Sequence, residues 1–192
     1  PAGGVVVFND TVAEGVRAFD MVAHKGKAYV LATLGSTETQ YGIWSSSDMT
    51  TFTAVNNSAW PTSGAVTNTT VTRRNNFDDD HGRLLDDGNL LWAFLWDEGA
   101  KDINCLTTAN TGTAWTLEFS IPSTDGPKGA AVWYNRAGTE SPLLATAEGV
   151  YSLDATNNIF TLEIPLDGQA ANGRWMTVGD DGKLYIPLAQ DD

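Results

Sequence analysis

Four segments of the chain share one shape, a tight polar turn followed at once by a short apolar strand. They are HKGKAYVLATL, DDGNLLWAFLW, RAGTESPLLAT and DDGKLYIPLAQ, with strands that begin near Lys27, Asn89, Ser141 and Lys183. Between them lie three further hairpin segments, GIWSSSDMTTFTAV, NCLTTANTGTAWTLEFSIP and GVYSLDATNNIFTLEIPL. The order hairpin, loop, hairpin, loop never changes. A unit of four short strands cannot bury both of its faces alone, so such units must stack on one another. Repeats of roughly 40–60 residues built this way mark propeller blades set around an axis. No stretch carries a sustained apolar period of about 3.6 residues, which argues against an α/β fold. The expected architecture is all-β, a β-propeller-like single domain over residues 1–192 with about four blades. It is either a closed small ring or an arc of a larger propeller.

The best-defined unit runs from Leu84 to Pro122. Leu90–Trp96 is a dense apolar strand, Asp102–Ala109 a second and Trp115–Ile121 a third. In the third, Trp115, Leu117, Phe119 and Ile121 alternate with Thr116, Glu118 and Ser120. That predicts one apolar and one polar face, because successive side chains of a strand point to opposite sides. Gly88 in the preceding turn supplies the positive φ that hairpin turns demand. Earlier in the chain, Arg17–Ala23, Ala28–Leu34, Tyr41–Ser47 and Phe52–Val55 read as strands. The fourth unit stops after its second strand. Val5–Phe8 is a short apolar strand that would pair with something distant, and by supplying one of the missing outer strands it would close the ring. The expectation favours the other alternative, an arc of a longer propeller, since a missing hairpin needs more than four residues.

Composition narrows the partners. Apolar residues make up 42% of the 192 residues, so the chain is globular rather than disordered. Its net charge of −13 argues against binding nucleic acid through phosphates and against anionic membranes. No apolar run is long enough for a membrane-spanning helix, so no membrane insertion is expected. The acidity suits solubility in a salty or extracellular medium. The one cysteine, Cys105, falls in a strand and reads as a small buried apolar residue.

The turns of the second hairpins resemble the Asp-box of sialidase-like (BNR-repeat) propellers, Ser-x-Asp-x-Gly-x-Thr-Trp. Thr108-x-Asn110-x-Gly112-x-Ala114-Trp115 matches the spacing, with Thr for Ser, Asn for Asp and Ala for Thr. Ser46-x-Asp48 followed by Phe52 is one residue short, and Ser152-x-Asp154 followed by Phe160 is one residue long. The box makes physical sense. A short oxygen-bearing side chain bonds the turn backbone, glycine takes the unusual φ, and the aromatic pins the turn to its blade. The resemblance implies a propeller, with the box itself structural. It does not carry over the family's catalytic set of three arginines, a Tyr–Glu pair and an Asp acid. The arginine motif is absent, and Arg17, Arg73, Arg74, Arg83, Arg136 and Arg174 stand in no matching context.

The densest polar cluster is Arg73-Arg74-Asn75-Asn76-Phe77-Asp78-Asp79-Asp80-His81. On an extended segment Asp78 and Asp80 share a face and Asp79 does not. Hard oxygen ligands of this kind suit Ca²⁺, but the spacing is not that of an EF-hand loop. The bland reading is a solvated loop whose Arg–Asp pairs are worth little. Trp133, Tyr134 and Trp175 sit where inner strands would approach the central channel, and an aromatic plane there can stack on a sugar ring. Arg73, Arg74, Asp78, Asp80, His81, Trp133, Tyr134 and Trp175 are therefore the candidate ligand-binding residues. No catalytic or metal residue is assigned. Asp86-Asp87-Gly88 and Asp180-Asp181-Gly182 read as ordinary hairpin turns rather than calcium turns. His24 and His81 share no motif that would support a zinc site.

These readings favour a non-catalytic module that binds glycan or protein, in an extracellular or particle-surface setting such as a fibre or adhesin. One alternative is a fragment of a sialidase-like glycoside hydrolase whose remaining blades are absent. Another is an architectural subunit of a homo-oligomer or larger assembly. Carboxylates clustered with arginine at one rim would favour the hydrolase. A rim of aromatic, Asn and Thr side chains would favour binding alone. No cofactor is expected.

Overall fold

The computed structural model describes residues 18–34, 40–55, 82–97, 99–109, 114–134, 140–165 and 176–186. For Phe19, Thr33, Leu34, Gln40, Tyr41, Ala54, Val55, Trp133 and Tyr134 the backbone alone is described. The first blade holds β1 (Ala18–His24), β2 (Lys27–Leu34), β3 (Gln40–Ser46) and β4 (Thr53–Val55). The second holds β5 (Gly82–Asp86), β6 (Leu91–Asp97), β7 (Asp102–Thr108) and β8 (Thr116–Pro122). The third holds β9 (Gly129–Tyr134), β10 (Glu140–Ala145), β11 (Gly149–Asp154) and β12 (Ile159–Pro165). A fourth unit has β13 (Thr177–Val178) and β14 (Leu184–Tyr185). Each sheet is an antiparallel meander in chain order, and the described residues include no helix. The fold is the expected all-β, propeller-like one.

The first strands line one axis. β1 lies against β5, β5 against β9, and β9 against β13. Antiparallel pairing then sorts the connections. The chain enters each first strand and leaves each fourth strand at one end, the linker end. The first and third hairpin turns lie at the other, the turn end.

Cores lie between blades rather than within them. Tyr29, Leu31 and Ile43 of blade one pack on Leu84, Leu91, Ala93, Leu95, Leu106 and Trp115 of blade two. The opposite face of blade two, with Trp92, Phe94, Trp96, Ile103, Cys105 and Ile121, packs on Leu144 and Leu153 of blade three. The far face of blade three, with Ala131, Leu143, Ala145 and Val150, packs on Met176 beside β13. β6 is thus buried on both sides, which explains why LWAFLW shows no alternation. Each fully buried Leu, Ile or Phe is worth roughly 1.5–3 kcal/mol, so stacking dominates stability.

The single apolar face expected for Trp115–Ile121 is corrected by the structure. Leu106 pairs with Leu117 but Cys105 pairs with Phe119, so Glu118 is an extra residue and β8 is bulged there. Trp115 and Leu117 face blade one, whereas Phe119 and Ile121 face blade three. A bulge inserts one residue without a partner, and with period-two alternation it exchanges the faces beyond it. β12 repeats the device. Tyr151 pairs with Leu162 and Val150 with Ile164, which leaves Glu163 as the extra residue.

The turns follow local chemistry. Lys25 and Gly26 have φ of 45° and 78°, so two positive values close the β1–β2 hairpin. In the β5–β6 turn Gly88 has φ 86°, and Asp87 Oδ1 accepts the N–H groups of Asn89 and Leu90. Asp87 Oδ2 accepts Trp92 Nε1–H at 2.7 Å and so ties the turn to the core. In the β13–β14 turn Gly182 has φ 72° and Asp181 Oδ1 accepts Lys183 N–H. Both Asp-Asp-Gly triplets lie in hairpin turns, as their sequence implied.

Candidate functional site

The linker end collects the starts of the first strands. Asp20 stands near the start of β1, Arg83 near the start of β5, and Lys128 immediately before β9. Asp20 Oδ1 accepts Met21 N–H at 2.8 Å and Oδ2 accepts Leu84 N–H at 2.9 Å, which joins the first strands of blades one and two. Burial pushes the Asp20 carboxyl above its usual range, against the lowering effect of these bonds and of the Arg83 charge. Arg83 is 8% exposed and donates from Nη1 to Gly82 O.

Lys128 is also 8% exposed, and its ammonium lies 2.8 Å from Asp125 Oδ2. The segment 123–128 that carries this pair is fixed to its surroundings. Ser123 N–H donates to Lys101 O, Lys128 N–H donates to Ala145 O, and Ser123 Oγ donates to Glu148 Oε2. Thr124 N–H donates to Glu148 Oε1. Burial acts to raise the Glu148 carboxyl, but the bonds from Ser123, Thr124 and Thr146 outweigh it and hold the carboxyl below its usual range. The linker end therefore holds an acid whose ionisation burial disfavours, two buried cations each with a carboxylate nearby, and a loop fixed by hydrogen bonds. Groups of this kind can donate and accept charge-assisted hydrogen bonds.

The turn end differs. His24, 1% exposed, closes β1 and its Nδ1 lies 2.8 Å from Asp86 Oδ1, a second bond between blades one and two. A surface cleft of ≈ 360 Å³ lies on blade one, lined by Lys27, Ser45, Ser46, Ser47, Asp48, Thr51 and Thr53. Asp48 is committed to its turn, where its Oδ1 accepts the N–H groups of Thr50 and Thr51, and these bonds hold its carboxyl well below the usual range. Ser46 Oγ accepts Met49 N–H, so this turn satisfies its backbone by the oxygen-to-backbone logic expected of it. In the β11–β12 turn Asp154 does the same for Thr156 and Asn157, but Ser152 instead donates to Glu163 Oε1 at 2.6 Å.

Arg73, Arg74, Asp78, Asp80, His81 and Trp175 lie outside the described residues, as do Val5–Phe8 and the side chains of Trp133 and Tyr134. Among the described residues no three His, Cys, Asp or Glu side chains group as metal ligands. Sequence reasoning missed Asp20, Lys128, Asp125 and Glu148, and counted Arg83 without a role. The available signal was position, since counting one strand back from each Gly turn reaches Asp20 and Arg83.

No family model and no curated protein matches the chain. Solved structures do. An exo-β-1,3-galactanase from Phanerochaete chrysosporium, a variant bound to β-1,3-galactotriose, is similar at TM-score 0.52 and 14% identity. That match covers 86% of this chain and 43% of the galactanase chain. A second variant of the same enzyme with the same trisaccharide gives TM-score 0.50 at 14% identity, covering 85% and 41%. An endo-arabinase from Bacteroides thetaiotaomicron aligns at TM-score 0.48 and 11% identity, covering 86% and 66%. At such identities the likeness to the galactanase shows the fold alone. The chain spans less than half the length of the galactanase it matches.

Proposed function

We propose that the chain is an arc of a β-propeller that recognises glycans at its linker end and does not itself cleave them. One observation carries the reading. The first strands of three successive blades begin at that end with Asp20, Arg83 and Lys128, each cation with a carboxylate nearby. A set of this kind offers both donors and acceptors to a polyhydroxylated ligand. The fold's likeness to a galactanase bound to galactotriose supports a sugar as that ligand. The acidic surface fits an extracellular or particle-surface setting.

A second reading has one observation in its favour. A half-buried acid with a raised pKa beside an arginine is what a general acid requires, and it matches the rim expected of a hydrolase. In that case the arc belongs to a glycoside hydrolase whose other residues lie elsewhere. Calorimetric titration of β-1,3-galactotriose and a panel of neutral and acidic oligosaccharides, with release of new reducing ends followed in parallel, separates the readings. Heat without new reducing ends supports recognition alone. New reducing ends that vanish in Asp20→Asn support the hydrolase. Absence of both refutes both.

A further inference from the structure

We infer that one internal water joins the His24 imidazole to the Tyr29 hydroxyl in the joint between blades one and two, so that a buried polar chain runs from Asp86 to Tyr29. Register places the two side chains together. Val22 on β1 pairs with Tyr29 on β2, and both pack on the blade-two side of the sheet. His24 follows Val22 by two residues and so shares that face. Its ring meets the Tyr29 ring edge-on, with centroids 6.2 Å apart. Both residues are buried, Tyr29 completely.

Hydrogen-bond accounting supplies the ligand. Asp86 Oδ1 accepts Gly88 N–H at 2.8 Å, so it acts as acceptor toward His24 Nδ1 as well. That leaves His24 Nε2, and neither it nor the Tyr29 hydroxyl has a partner among the described residues. A buried polar atom left in this way lowers the folded population by about tenfold or more. The remaining ring nitrogen is an acceptor when the imidazole is neutral and a donor when it is protonated. Water donates and accepts, so it satisfies both atoms in either state. A buried water needs two to four polar partners, and these two atoms supply the minimum.

The same register supplies a route for solvent. Ser45 on β3 pairs with Tyr29, and Thr53 on β4 pairs with Ser45. Lys27 pairs with His24. Lys27, Ser45 and Thr53 all line the turn-end cleft of ≈ 360 Å³. Directly opposed residues of antiparallel strands share a face, so the row Tyr29–Ser45–Thr53 runs from the core into that cleft. The water site is therefore the inner end of a polar row, and it lies at the opposite end of the blades from Asp20, Arg83 and Lys128. The water would enter past hydroxyl groups rather than through the apolar core of Leu84, Leu91 and Trp115.

The test uses the whole chain and two readouts. In a crystal structure sharp enough to order solvent, one water is expected within about 3.2 Å of both His24 Nε2 and the Tyr29 hydroxyl. A direct bond between the two side chains, a protein partner for either atom, or density that touches only one of them overturns the inference. The second readout is a double-mutant cycle followed by chemical denaturation. Tyr29→Phe is expected to lower the folding equilibrium constant about tenfold in the parent protein and by about twofold or less in a His24→Phe background. Equal losses in the two backgrounds overturn the coupling. If His24→Phe does not fold, the crystal structure of the parent protein decides.

Discussion

The Glu118 carboxylate accepts the Thr107 hydroxyl at 2.5 Å, across the point where β8 carries one residue more than β7. Ser152 and Glu163 repeat the bond at 2.6 Å with the same eleven-residue separation. The bulged glutamate is thus held to its neighbouring strand in two blades, and the bulge lets one strand feed two inter-blade cores.

Glu118→Ala is expected to cost roughly 1–2 kcal/mol, the worth of a partly buried charge-assisted bond. Deleting Glu118 removes the extra residue but leaves Leu117 opposite Leu106 and Phe119 opposite Cys105, so both side chains keep their faces and the cost is expected to stay close to that of the substitution. Chemical denaturation of both variants checks the two outcomes. A deletion variant that fails to fold would contradict the register given to the bulge.

Asp20→Ala removes the acceptor of Leu84 N–H and should cost about 1–3 kcal/mol. The pH dependence has a definite sign. The folded-state pKa of Asp20 is raised, so the folded protein holds this proton more tightly than the unfolded chain. Stability measured against Asp20→Asn should therefore fall as pH rises from the ordinary carboxyl range through the raised pKa, and level off above it. Melting midpoints of both proteins between about pH 4 and pH 7 give the comparison.

Asp48 has the opposite sign. Bonds from Thr51 and Thr50 N–H hold its carboxyl low, so its contribution is complete above the ordinary Asp range and is lost as pH falls through it toward the depressed value. Asp48→Ala should lower the melting midpoint at neutral pH, and the difference from the parent should shrink in acid. Thermal melts of the pair at both pH values test this.

Cys105 is fully buried and its thiol is pushed well up by burial. It should resist a maleimide in the native protein and react fully in denaturant. Fast native labelling would mean that the core between blades two and three opens readily.

Much of the fold was legible because its signals are local. Gly88 and Gly182 announce turns, and the apolar run of β6 announces a strand buried on both faces. The bulge at Glu118 was not legible. Thr-Leu-Glu-Phe alternates without fault, and only the register against β7 reveals the extra residue. The linker-end set was hidden for another reason. It depends on blades stacking, and its bonds join residues far apart in sequence, as Asp20 joins Leu84 and Thr124 joins Glu148. The side chains of the aromatic and Arg–Asp candidates chosen from the sequence fall outside the described residues, so the linker-end set rests on different residues.

The measurement that bears most directly on glycan recognition at the linker end is peptide-level hydrogen exchange of the whole protein with and without a bound oligosaccharide. Protection is expected over 18–21, 82–84, 123–130 and 146–149, where the first strands and the fixed loop meet. Protection confined to 47–53 at the turn end, or none at all under saturating sugar, would contradict it.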